Sequence, residues 1–232
     1  MNIRYNILYI KTTNLFNKRK RGLIIMKKQN TMTMMELVKY SIRVEKARAE
    51  IRKDRHSTML SFGFPTHDEI DHAWKHVTVD GQSVPVIRST VHCRQNNATF
   101  GCTRLASRTG AFIVAERDII PVIMVDEFFM AAPHYVQKFI LAHEAAHIKN
   151  GDIKIKQSDN LVRSLNMEIK ADKRASLHIG KDDTIAAIEW LISVVSASGP
   201  NIEVVKELTA RYEAIVNFDP MAKDKDRRYK EV

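Results

Sequence analysis

The chain has 232 residues, 44% hydrophobic, 28% charged and 7% aromatic, a balance that supports a packed core and excludes wholesale disorder or a collagen-like repeat. Two cysteines, Cys93 and Cys102, are too few for a disulfide framework and point to a reducing, cytoplasmic setting. No run approaches the roughly 20 apolar residues of a membrane helix. The net charge of +10 is unevenly placed: residues 1–28 carry eight Lys/Arg and no acid, and the remainder holds 29 bases against 27 acids. A basic nucleic-acid face is therefore not expected outside that leader.

The leader, residues 1–32, has two readings. It is an arm for nucleic acid or an acidic partner, or it precedes a translation start at Met26. The second is preferred, because Lys20-Arg21-Gly22 is encodable by a purine-rich run where a ribosome-binding site would lie. Residues 33–57 hold good helix formers without Gly or Pro, with Leu37, Val38, Ile42 and Val44 as apolar positions, and predict one helix. From Phe62 to Met130, short β-branched runs at 77–79, 84–91, 111–115 and 119–125 alternate with turn signals at Asp80-Gly81, Asn96-Asn97 and Thr109-Gly110. They predict a small, mostly antiparallel sheet.

Beyond the sheet the pattern is helical. Pro133 and Asn150-Gly151 bracket a helix over 133–150. Ser158 or Asp159 caps a second, to about His178. Asp182 or Asp183 caps a third, through Ala197, and Pro200 opens a fourth, through Phe218. The expected architecture is one α+β domain over 33–218 with a charged tail at 219–232.

The chemistry concentrates at His143-Glu144-Ala145-Ala146-His147, an H-E-x-x-H match on the helix over 133–150. With nine His and 13 Glu, a shuffled chain would hold about 0.02 such matches, so composition does not account for it. Residues four apart stack on one helix face, so the two imidazoles can share one Zn²⁺. Glu144 lies beside them, where a carboxylate acts as general base without being a ligand. A third ligand comes from the next helix. At about 100° per residue, Glu168, Asp172, Leu161, Leu165 and Ala175 share one face, while Arg163, Lys170, Lys173 and Arg174 take the other. Carboxylates on an apolar face are costly unless paired or bound to a metal. Glu168 is thus the expected ligand, with Asp172 one turn on as the hydrogen-bond partner of a ligand imidazole.

Taken together, His143-Glu144-x-x-His147 followed by Glu168-x-x-Ala171-Asp172 resembles the gluzincin metallopeptidases, closest to the minigluzincins and the catalytic domains of the CAAX prenyl endopeptidase family. The resemblance covers about residues 110–218 and implies a zincin-like fold, a glutamate ligand at Glu168 and a histidine-orienting aspartate at Asp172. The expectation is then a soluble zinc metallopeptidase acting on a peptide or protein substrate, with one Zn²⁺ on His143, His147 and Glu168. Glu144 would serve as its base, Tyr212 or Arg211 as oxyanion donor, and an edge strand at 111–115 would hold the peptide. The alternative is a zinc-binding regulatory protein of a phage or mobile element, either catalytically idle or narrowly specific, that binds or cleaves a repressor. The other histidines are given no ligand role: His134 falls opposite His143, His178 lies off the ligand face, and His67, His72 and His76 interleave with acids. Cys93, Cys102, Trp74 and Trp190 are expected in packing.

Overall fold

The computed structural model describes residues 32–53, 67–89, 93, 100–107, 119–153, 165–198 and 202–219, all within the compact unit Thr31–Val232. Helix α1 (Met34–Lys53) begins at a capping box: Thr33 Oγ1 accepts from the Glu36 N–H at 3.2 Å while Glu36 Oε2 accepts from the Thr33 N–H at 2.8 Å. A short α2 (His67–Asp71) leads into the hairpin of β1 (Lys75–Val79) and β2 (Gln82–Arg88), which turns at Asp80-Gly81, both at positive φ. Strand β3 (Gly101–Ser107) pairs antiparallel with β4 (Ile119–Val125), and β4 runs parallel to β2.

The sheet order is β1-β2-β4-β3. It is mixed: β1–β2 and β3–β4 are antiparallel, as a mostly antiparallel sheet requires, and the one parallel pairing comes from β4 inserting between β2 and β3. Two prolines survive in it because each sits where only one neighbour is paired. Pro85 faces β1 before the β4 pairing begins at Val86, and Pro121 faces β3 before the β2 pairing begins at Ile123. Strand β4 is buried on both faces. Ile123 and Val125 join Val84 and Val86 against the helices, while Ile120 and Val122 join Ile87 and Ile70 on the other side.

Helices α3 (Glu127–Ala131), α4 (His134–Asn150), α5 (Leu165–Ile179), α6 (Lys181–Ala197) and α7 (Ile202–Val216) complete the described elements. The fold class is α+β and mostly helical. Helix α4 lies between the sheet and α5–α6, and one core joins the layers through Phe129, Val136, Phe139, Ile140, Ile188, Leu208 and Ile215. Fully burying a residue of this size stabilises by about 1.5–3 kcal/mol, and Val136, Phe139 and Ile140 of α4 are all buried in that core. Among the described residues no helix is long and apolar enough to cross a membrane.

Element boundaries differ from expectation where capping chemistry decides them. Pro133 is the residue before α4 rather than its first, and its carbonyl accepts from the Gln137 N–H. Gly180, not Asp182 or Asp183, precedes α6; the two aspartates lie in its first turn, where negative charge suits the helix dipole. Leu165, assigned to the buried face, starts α5 and is 39% exposed. Strand β3 was not anticipated, and the expected strand at 111–115 lies outside the described residues, as do the leader to Thr31 and the tail from Pro220.

Candidate metal centre

The centre is built on α4 and α5. Phe139, Ile140 and Ala146 fasten α4 into the core, and this leaves His143, Glu144 and His147 buried. Glu168, Ala171, Asp172 and Ala175 form the buried stripe of α5, the i, i+3, i+4, i+7 pattern of a helix face. His143, His147 and Glu168 come together with one ligand atom from each within 4.8 Å of the others. The two Nε2 atoms are 3.0 Å apart, His143 Nε2 is 3.1 Å from Glu168 Oε2, and His147 Nε2 is 3.5 Å from Glu168 Oε1.

Behind each imidazole stands a carboxylate. Asp172 Oδ1 lies 2.7 Å from His143 Nδ1, as the helix face of α5 implies. Asp152 Oδ2 lies 2.8 Å from His147 Nδ1, a contact that sequence reasoning did not assign. The chain reaches it through the end of α4. Gly151 adopts φ 71, its N–H bonds to Ile148 O, and the Asp152 N–H bonds back to His147 O. This reversal is a Schellman turn, and it folds Asp152 onto the last turn of its own helix. The Asn-Gly-Asp sequence carried the signal: a left-handed helix stop with an acid immediately after it.

These contacts favour one tautomer of each ring. An ionised carboxylate only accepts hydrogen bonds, so each Nδ1 carries a proton, and either ring, when neutral, presents a bare Nε2 lone pair. Two Nε2 atoms and the Glu168 oxygens therefore converge as acceptors on one small volume. Such an arrangement requires a positive charge at its centre. A divalent ion bonded at about 2.0–2.1 Å to nitrogen and oxygen spans these separations, and the donor set fits a metal.

Without a metal, a proton takes that place. Burial opposes charge on His143, but the charge and hydrogen bond of Asp172 and the hydrogen bond to Glu168 outweigh it and lift the pKa to about 9. Burial likewise opposes the Glu168 charge, yet hydrogen bonding with the His143–His147 pair, which shares that proton, and the charges of His143 and Arg211 hold its carboxyl far below the usual range. Asp172 is also held low: burial raises it, and Arg211 and His143 more than compensate.

Glu144 is 4% exposed and is not one of the three converging groups. It faces the start of β3, where Gly101 lets the strand approach: a Cβ there would lie 3.3 Å from Ile140 Cγ2 and 3.8 Å from Glu144 Cγ. Asp126 steadies this approach, accepting from the Phe100 N–H and from the Phe129 N–H of α3, both at 2.9 Å. Burial, only partly offset by those two bonds, raises its pKa to about 6.

The two residues expected as oxyanion donors are neighbours on α7, and Arg211 Nη1 lies 3.3 Å from Glu168 Oε2. Arg211 lies behind His143, its guanidinium taken by Asp172 at 2.7 and 2.8 Å. Tyr212, the next residue round α7, is hydrogen-bonded to Glu189, which together with burial raises its pKa. His134 and His178 are exposed, as are His72 and His76. Cys93 and Cys102 are free thiols packed with Met124, and Trp74 and Trp190 border the main core. Comparison of the chain with protein-family models, curated proteins and solved structures finds no match.

Proposed function

We propose that the chain is a zinc-dependent metallopeptidase. The observation that carries this reading is the convergence of two Nε2 lone pairs and one carboxylate on a common point, beside a buried glutamate that is not part of the set. Two imidazoles and a carboxylate are the donor chemistry of hydrolytic zinc sites, whereas structural zinc sites are closed by a fourth Cys or His. When bound, the ion supplies Lewis-acid polarisation of a carbonyl and a water made acidic enough to react at neutral pH.

The chain's own residues do the rest. Asp172 and Asp152 hold the imidazoles by Nδ1, fixing both Nε2 atoms toward the centre. Glu144, adjacent in sequence to His143, accepts the proton of the attacking water and delivers it to the departing amine. A peptide is the substrate class that the sheet favours. Strand β3 is an edge of the described sheet, and Gly101 brings its backbone against Glu144. An extended peptide pairing along β3 would carry its backbone past Glu144.

Elemental analysis of the purified protein tests the site. About one zinc per chain is expected, and His143→Ala, His147→Ala and Glu168→Ala should each lose it. Full zinc retention by Glu168→Ala would remove the third ligand from the account.

A further inference from the structure

Arg211 is 8% exposed, an unusual place for a guanidinium, and it comes from α7, 39 residues beyond its main partner. Its Nε donates to Asp172 Oδ2 at 2.7 Å and its Nη2 to Asp172 Oδ1 at 2.8 Å, a two-point fork on a single carboxylate. Its Nη1 reaches Glu168 Oε2 at 3.3 Å, with Glu207 further off at 3.8 Å. The Nη2 contact to His143 Nδ1 at 3.4 Å joins two donors and is not a hydrogen bond.

Asp172 and Glu168 are like charges one helical turn apart on a buried face, an arrangement that is unfavourable on its own. Arg211 is the cation between them. It touches one converging carboxylate directly and, through Asp172, holds the ring of His143.

We infer that Arg211 is a positioning residue for the metal ligands, fixing Glu168 and, through Asp172, His143, so that affinity and coordination geometry depend on α7. The planar fork matters as much as the charge. Lysine would bring one point charge to this place, but neither the parallel pair on Asp172 nor the simultaneous third contact to Glu168. Helix α7 is itself held to the body by buried Leu208 and Ile215, and by Lys181 Nζ donating to Val216 O and Phe218 O. The fork is therefore presented from an anchored element. The inference rests on the metal-site reading above.

Arg211→Lys in the full chain is the first variant, read by zinc affinity in competition with a chromophoric chelator and by the d–d absorption of the saturated cobalt(II) form. A loss of about 10–100-fold in affinity is expected, together with a changed cobalt spectrum, since a shifted ligand alters the coordination sphere even at saturation. The second variant, Asp172→Asn with Arg211→Gln, removes the buried ion pair as a unit and does not strand either charge. Its loss of zinc affinity should be smaller than the sum of the losses of Asp172→Asn and Arg211→Gln taken singly, because the two residues share the hold on His143, although the Arg211 contact to Glu168 is lost as well.

Arg211→Lys with wild-type affinity and an unchanged cobalt spectrum would overturn the inference even if its melting temperature fell. Strictly additive losses in the double variant would also overturn it. Wild-type protein that takes up neither zinc nor cobalt would instead remove the site itself, a result distinguishable from both.

Discussion

Asp172→Asn perturbs the centre with almost no change of volume, and the hydrogen-bond geometry decides its effect. The carboxylate is fully buried and accepts three bonds: His143 Nδ1 and Arg211 Nη2 on Oδ1, and Arg211 Nε on Oδ2. An amide has one oxygen, so two orientations exist. With the oxygen at the Oδ1 position, the NH₂ group meets Arg211 Nε, donor against donor, and the guanidinium loses its counter-charge. With the NH₂ group at Oδ1, His143 must accept at Nδ1, which puts the ring proton on Nε2 and removes the metal-facing lone pair. The two orientations cost different things, and neither is neutral.

Loss of a carboxylate behind a ligand histidine weakens metal affinity by about 10–100-fold, equivalent to about 1.4–2.7 kcal/mol. Removing one partner of a buried ion pair costs about 3–5 kcal/mol of folding free energy, and the retained amide oxygen should keep the loss toward the lower end. Zinc affinity by chelator competition and urea unfolding of the chelator-treated protein measure the two quantities separately. Wild-type values in both would refute the assigned role of Asp172.

Two further outcomes follow from the geometry. The metal-free protein should lose stability as pH rises from 6.5 to 9. The folded-state pKa of His143 lies at about 9, above its ordinary 6.5, so its contribution is complete below 6.5 and is lost through 9. At one proton, the loss is about 3 kcal/mol over that window. Saturating zinc should flatten the profile, since binding requires the neutral ring; parallel curves with and without zinc would contradict the proton–metal exchange. Gly151→Ala should lower stability by about 1–2 kcal/mol, because φ 71 is strained for any residue with a Cβ although nothing lies within 4 Å of it. It should also weaken zinc binding by displacing Asp152 from His147 Nδ1; unchanged zinc affinity would show that the turn does not deliver that carboxylate.

Much of the centre was legible because it is written at helical spacing. His143 and His147 one turn apart, and Glu168 and Asp172 among apolar neighbours, are local patterns that the core of α4 and α5 reproduces. Strand β4 was legible for a similar reason, since a continuous apolar run suits a strand buried on both faces. Strand β3 was not. Gly101-Cys-Thr-Arg-Leu-Ala-Ser107 lacks a β-branched run, and its conformation is set by pairing with β4.

Arg211 was legible only in part. The resemblance offers it, with Tyr212, only as an oxyanion donor. Yet Leu208, Arg211 and Ile215 lie at i, i+3 and i+7, the buried stripe of α7, and a cation on a buried stripe needs a carboxylate. The pattern implied a buried partner; only the tertiary structure shows that the partner is Asp172.

The central claim is that these residues hold a zinc ion for hydrolysis with Glu144 as the base, and the most direct measurement compares peptide-hydrolysis rates of zinc-loaded wild type and Glu144→Gln. The substitution keeps the volume and leaves His143, His147 and Glu168 in place, so zinc should stay near one per chain. Loss of the proton acceptor should lower the rate by about 10²–10⁴-fold or more. A wild-type protein that holds zinc but cleaves nothing across a broad peptide library, or a Glu144→Gln variant that cleaves as fast as wild type, would contradict the claim.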